Sequence, residues 1–133
     1  MTVRGPKLDE IEIWTDQRAL RQYTHDNLRG YWQEQALALR QFPAETAKAD
    51  NVAWFVLGAS RLHHLLATNA LTSKAGAGRY ALGAFDERWR PIVDEAMSIR
   101  ILGEPVAPYP GDRGRDVIDF ADMVVRDGLA IPV

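Results

Sequence analysis

The chain contains no cysteine. That absence excludes disulfides, cysteine-ligated zinc and cysteine nucleophiles, and it is compatible with a reducing compartment. Long apolar runs are missing too. The longest, Val52 to Leu57, falls far short of the roughly 20 residues that span a bilayer. The first residues, Met1-Thr2-Val3-Arg4-Gly5-Pro6, lack the apolar centre of a secretory signal. No block of one charge sign appears, and the formal net charge is −2. This argues against nucleic acid as a partner, because a phosphate backbone draws a basic face or stripe. Lysine is scarce, with Lys7, Lys48 and Lys74 set against thirteen arginines. The expectation is a cytoplasmic, soluble protein that engages neither membrane nor nucleic acid.

What is present suits one ordinary domain. The chain has 133 residues, 47% apolar and 26% charged, and a domain of that size buries roughly two-thirds of its unfolded surface without a staple. Residues 1–14, with Gly5-Pro6 and then Leu8, Ile11 and Ile13 amid charges, read as an extended, linker-like segment, with strand alternation conceivable only at Glu10-Ile11-Glu12-Ile13. Residues 15–133 read as a helical bundle. Thr15 or Asp16 caps a first stretch carrying Ala19, Leu20, Tyr23, Leu28, Tyr31 and Trp32, with a bend or break expected at Gly30 and an end at Phe42-Pro43. From Asp50 to Thr68 the pattern Val52, Phe55, Val56, Ala59, Leu62, Leu66 marks a helix that is apolar on nearly all sides at its start, hence central. Asn69 suits its end. A short helix over 73–84 follows, then one capped by Asp86 with Pro91 in its first turns. Breakers from Gly103 to Gly114 form a loop, and Asp116 to Arg126 is the last helix. The fold class is all-α, a single bundle of about five helices.

Candidate sites are few. Lys74 opens the helix after Leu71-Thr72-Ser73, where the dipole disfavours a cation and a bound phosphate would reverse that preference; a solvated surface lysine is the plain alternative. Arg100 sits at a helix C-terminus, where a cation is favoured anyway. Trp54 shares a turn with Asp50 and Asn51, and either packs in the core or, beside a carboxylate, offers a ring to a cationic sugar. His63 and His64 point about 100° apart on a helix and cannot easily share a metal, so one packed and one exposed imidazole is the simpler reading. Asp116, Asp119 and Asp122 read as a solvated face. Gly58-Ala59-Ser60 lies inside a helix and is no nucleophile elbow, and Gly76 and Gly78 lack the strand and the ending of a phosphate loop. No nucleophile, base and orienting group come together.

Three segments in order carry a resemblance: Leu57-Gly-Ala-Ser-Arg-Leu-His-His-Leu-Leu-Ala-Thr68, Leu71-Thr-Ser-Lys-Ala-Gly-Ala-Gly-Arg-Tyr-Ala-Leu82 and Trp89-Arg-Pro-Ile-Val-Asp-Glu-Ala96. With Asp26-Asn-Leu-Arg-Gly-Tyr-Trp32, they resemble the C-terminal helical domain of the aminoglycoside adenylyltransferases that modify streptomycin and spectinomycin, over roughly residues 5–128. The resemblance implies a helical domain that closes over a cleft, adding contacts to nucleotide and antibiotic. By position, Lys74 matches a lysine on the ATP phosphates. Arg100 stands where that family has a tyrosine near the nucleotide, and an arginine can serve a triphosphate. Asp50, Asn51 and Trp54, with Glu45, fall in the turn that contacts the cationic aminoglycoside.

In that family catalysis belongs to an N-terminal domain with a Gly-Ser turn, a metal-binding Asp-x-Asp pair and a carboxylate base, none of which is present here. Val3-Arg4-Gly5-Pro6 resembles the linker leaving that domain. The expectation is an accessory domain with no catalytic residues, no metal site and no cofactor of its own, Mg-ATP being implied only with a catalytic domain. Its expected partners are that domain or a second copy of itself, together with ATP and an aminoglycoside, in an antibiotic-resistance setting. The alternative is a free-standing, non-catalytic binding or assembly module that pairs with a separate nucleotidyltransferase or with itself.

Overall fold

Apolar residues at three- and four-residue spacing, punctuated by capping side chains, glycine and proline, determine each element. The structure, a computed structural model, describes residues 17–132. The extended segment expected over 1–14, its possible strand, and the caps expected at Thr15 or Asp16 lie outside the described residues. Among the described residues there is no strand, and the fold is all-α.

Helix α1 runs Gln17–Asn27 and α2 runs Gln33–Gln41. Between them, Leu28–Trp32 form a π-helical turn. Gly30 therefore neither breaks nor ends the helix; one wide turn absorbs the irregularity and the path continues, as single π turns do. That turn brings the adjacent side chains Tyr31 and Trp32 both to Trp54, with ring centroids 6.3 and 4.9 Å away. Phe42 leaves helical geometry at φ −131° and ψ 65°, as the position before proline requires. A single turn, α3, follows at Pro43–Thr46, held by the buried Thr46 hydroxyl, which donates to the Leu39 carbonyl at 3.0 Å.

Helix α4, Ala49–Thr68, is the axis of the bundle and packs against α5 (Lys74–Ala84), α6 (Arg90–Leu102) and α7 (Arg113–Ala130). Val52, Val56, Leu57, Ala59 and Leu66 are all but sealed from solvent, so its apolar stretch is consumed on several sides at once. Asn69 ends it in the left-handed region at φ 63°, a conformation asparagine accepts more readily than most residues. Ser73 caps α5, its hydroxyl accepting from the Gly76 amide at 3.0 Å. Asp86 caps a 3-10 turn, Glu87–Trp89, that leads into α6 instead of capping α6 itself. Helix α7 is longer than the sequence pattern suggests at both ends. Asp112 caps it by accepting from the Arg115 amide at 3.1 Å, so Gly114 lies inside the helix and the loop is shortened to 103–112.

Phe120 of α7 is fully buried, with Phe85 and Trp89 meeting it edge-on at 5.8 and 5.6 Å. Two glycines permit close approaches. A Cβ on Gly78 would collide with Met97 of α6, and one on Gly58 would stand 2.7 Å from the Trp32 ring. Polar ties lock the frame. The buried Glu95 accepts from Arg113 at 2.9 Å, and Arg113 also donates to the Ala47 carbonyl. The Tyr109 hydroxyl donates to Asp116, fastening the 103–112 loop, and burial followed by that hydrogen bond pushes the phenol far above its ordinary pKa. Among the described residues no helix is long and apolar enough to cross a membrane.

Because Phe120 joins α7 to Phe85 and Trp89 in the connection between α5 and α6, Phe120→Ala is expected to lower the unfolding free energy by about 3–5 kcal/mol. Urea denaturation measures this, and a loss below about 1 kcal/mol would show that the aromatic cluster does not hold the core.

Candidate functional site

Helix α4 is covered by its neighbours except along one stripe. Asp50, Trp54 and Arg61 are exposed, and Gly58 between them is half-buried. Steps of four, four and three residues keep these positions on one face of a helix. Trp54 stays 37% exposed although Trp32 stacks on it with planes 17° apart and Phe55 meets it edge-on at 4.7 Å. The ring thus belongs half to the core and half to the surface, combining the two readings that the sequence left open.

Two recesses meet at this stripe, and Trp54 and Lys74 line both. The smaller, about 200 Å³, is bounded by Asp50, Ala53, Trp54, Lys74, Ile99 and Arg100. The larger, about 320 Å³, is a groove running from Lys74 and Arg61 along α4 toward α1. Lys74 is held here by the geometry of the α5 start: Ser73 spends its hydroxyl on capping, and the lysine, half-buried, lies between the two hollows. Its ammonium is held below the ordinary value of 10.5, first by loss of solvent and then by the positive charges of Arg100 and Arg61. Three cations from three helices therefore converge, with Asp50 the carboxylate beside them. Positive charge at a helix N-terminus adds to the mismatch, and such a cluster suits a polyanion able to accept several charge-assisted hydrogen bonds.

Of the residues singled out from the sequence, Asp50, Trp54, Lys74 and Arg100 are brought together. Glu45 and Asn51 are set apart from them: the Asn51 amide donates to the Glu45 carbonyl at 2.7 Å, and the Glu45 carboxylate pairs with Lys48 at 3.0 Å. Arg61 was missed. Its signal was available as the cation eleven residues after Asp50, on the face that Trp54 and Gly58 also occupy. The remaining polar groups are structural. His63 is buried, donating through Nε2 to Asp127 at 2.5 Å and accepting from the Tyr80 hydroxyl at 2.7 Å, while His64 is half-buried and donates to the Ala70 carbonyl at 2.9 Å. Asp116, Asp119 and Asp122 are not a freely solvated row: each is half-buried with its own partner, Tyr109, Arg115 and Arg40 respectively. Among the described residues no three His, Asp or Glu side chains gather as a metal cage would need.

A family model for the aminoglycoside adenylyltransferase C-terminal domain matches residues 31–127. The chain belongs to that family. The match begins within the π turn and ends near the close of α7, so both hollows and all three converging cations lie within the adenylyltransferase C-terminal domain, except for the wall of the groove that α1 supplies. No curated protein and no solved structure matches the chain.

The electrostatic mismatch in this adenylyltransferase-type domain has a measurable consequence. A lysine whose pKa is lowered on folding costs stability while it is charged, and that cost fades as pH rises through the lowered value toward 10.5. Lys74→Gln is therefore expected to stabilise the ligand-free chain at neutral pH and low salt by about 0.3–1 kcal/mol. The gain should shrink in high salt and at alkaline pH. Paired thermal melts test this, and a destabilised variant would contradict it.

Proposed function

We propose that the chain is an accessory domain that grips the polyphosphate of a nucleotide through Lys74, Arg61 and Arg100. The observation that carries this is the convergence of those three cations at the start of α5, where Lys74 is partly desolvated and has the charges of Arg100 and Arg61 nearby. Bound phosphate oxygens would remove the repulsion and use free amides of the helix N-terminus. Together with a nucleotidyltransferase catalytic domain, the domain would support transfer of AMP from Mg-ATP to a hydroxyl of an aminoglycoside. Metal, base and nucleophile activation would come from that other domain, and this chain's own residues would bind and orient. Antibiotic resistance and a cytoplasmic setting, where ATP is available, go with this reading.

The aminoglycoside would approach from the side of Glu45 and Asp50, both exposed carboxylates near the start of α4. Asn51 and Trp54 would supply a hydrogen bond and a ring face. Because Lys74 and Arg100 share the hollow with Asp50, a polycation is better served by the exposed Glu45 carboxylate outside that hollow than at its centre.

A second reading is a binding or assembly module that docks on a separate nucleotidyltransferase or on itself. It is favoured by Ile101, Leu102 and Val106, large apolar side chains left exposed just beyond Arg100. Sedimentation of the purified chain tests the self-docking form of this reading, which requires a dimer.

For the leading reading, isothermal calorimetry with ATP is expected to show binding that weakens about tenfold or more in Lys74→Ala, in keeping with loss of one charge-assisted contact. Arg61→Ala should weaken it similarly. The chain alone is expected to transfer no AMP to streptomycin. ATP binding unchanged in both variants, or measurable transfer by the chain alone, would overturn the proposal.

A further inference from the structure

Polyphosphate binding does not account for the larger groove. It is floored by α4 at Trp54, Gly58, Leu62 and Leu65, and walled by α1 and by the turn over 69–73. Tyr23 and Leu71 on its walls stay 54% and 62% exposed, so it is an open apolar slot. Among the described residues its charged lining is Arg61 and Lys74, with no carboxylate. The two helices run in opposite directions. Arg21, in the second turn of α1, donates to the Leu66 carbonyl near the end of α4 at 2.6 Å, while Trp32, beyond the end of α1, stacks on Trp54 near the start of α4. The chain that precedes Gln17 therefore meets the groove at its Leu20 and Leu65 end, with Arg61 and Lys74 further along it.

That preceding stretch, Leu8-Asp9-Glu10-Ile11-Glu12-Ile13-Trp14, has the complementary pattern: apolar residues and carboxylates alternate, and no cation lies between Lys7 and Arg18. We propose that residues 8–14 dock in this groove of their own chain as an extended strap. Thr15 and Asp16 turn the chain back beside α1. In an extended chain Asp9, Ile11 and Ile13 share one face. The two isoleucines lie along the apolar floor and Asp9 comes within reach of Arg61, while Glu10 and Glu12 on the other face meet solvent. The lengths agree, since α4 rises about 16 Å from Leu65 to Trp54 and the steps from Trp14 back to Asp9 span about 16 Å. Tethering favours this occupant over a free peptide or a second copy, because a short linker holds a segment at an effective concentration in the millimolar range. With Asp9 on Arg61, Lys74 and Arg100 stay crowded in the smaller hollow. The strap covers the apolar slot and leaves the polyphosphate reading neither needed nor altered.

The absence of cysteine supplies the test. Glu10→Cys in the full chain carries a single nitroxide label, and its broadening of nitrogen-15 amide signals reports what lies near residue 10. Signals of Tyr23, Gly58, Leu62 and Leu71 are expected to broaden. Those of Arg88 and Asp119, which line a separate hollow beside α7, should not. Ile11→Asp combined with Ile13→Asp should cut the groove broadening several-fold with helical circular dichroism unchanged. Leu71→Asp, at an exposed groove position, should do the same. Asp9→Asn should weaken it at low salt and matter little at high salt; indifference at low salt removes the Arg61 contact. Broadening spread evenly, centred elsewhere or insensitive to the isoleucine pair overturns the strap. So does broadening of a nitrogen-15 chain by a separate nitroxide-bearing chain, which would give the groove to a second copy.

Discussion

Everything in this bundle depends on burying α4 from several sides. Its apolar residues are too many for one face, so α5, α6 and α7 must all pack on it, and α1 and the π turn must lean over what remains. One stripe escapes, at Asp50, Trp54, Gly58 and Arg61. The functional surface is therefore what the core leaves uncovered. Its residues are held rigidly because they sit on the most constrained helix in the molecule, and a site built on such an element keeps its geometry better than one carried by a loop.

Packing also decides the electrostatics. Close approach of α5 to α6, allowed by Gly78, sets the start of α5 and the end of α6 against the stripe on α4. Lys74, Arg100 and Arg61 come from these three helices and end near one another without enough negative charge to satisfy them. Elsewhere the fold is careful about charge and polarity: Glu95 meets Arg113, His63 meets Asp127 and Tyr80, Asp122 meets Arg40. No buried polar side-chain atom among the described residues lacks a partner. Against that background the crowded cations stand out as a cost of folding that a polyanion would offset, in keeping with the tendency of perturbed groups to mark functional sites.

Most of the fold was legible in the residues. The period of Val52, Phe55, Val56, Ala59, Leu62 and Leu66, the asparagine after Thr68 and the serine before Lys74 identify α4, its end and the next start correctly, because each signal is local. The misreadings came where a local signal has two physical outcomes. Gly30 can break a helix or sit in a wide turn, and only the contact of Tyr31 and Trp32 with Trp54 selects the second. Gly114 reads as a loop residue until Asp112 is seen to cap α7 ahead of it. Within the site, Asp50, Trp54, Lys74 and Arg100 were identified as candidates, and their meeting at one hollow is a tertiary fact no local pattern contains. Arg61 escaped because it was read within a motif and not on the helical face it shares with Trp54. The groove was invisible in the sequence, since α1 and the 69–73 turn that wall it lie far from Trp54 along the chain.

Lys74 is a partly desolvated cation with two like charges nearby, and an anion would relieve it. The scarcity of lysine makes this directly testable. Reductive methylation with carbon-13 labels only Lys7, Lys48 and Lys74 among the side chains, so Lys74 can be assigned by one substitution and its titration followed by NMR. The expected result is a Lys74 pKa below the ordinary value of 10.5 in the free chain, rising when ATP is added. A Lys74 that titrates at the ordinary value of 10.5 and is indifferent to ATP would contradict this.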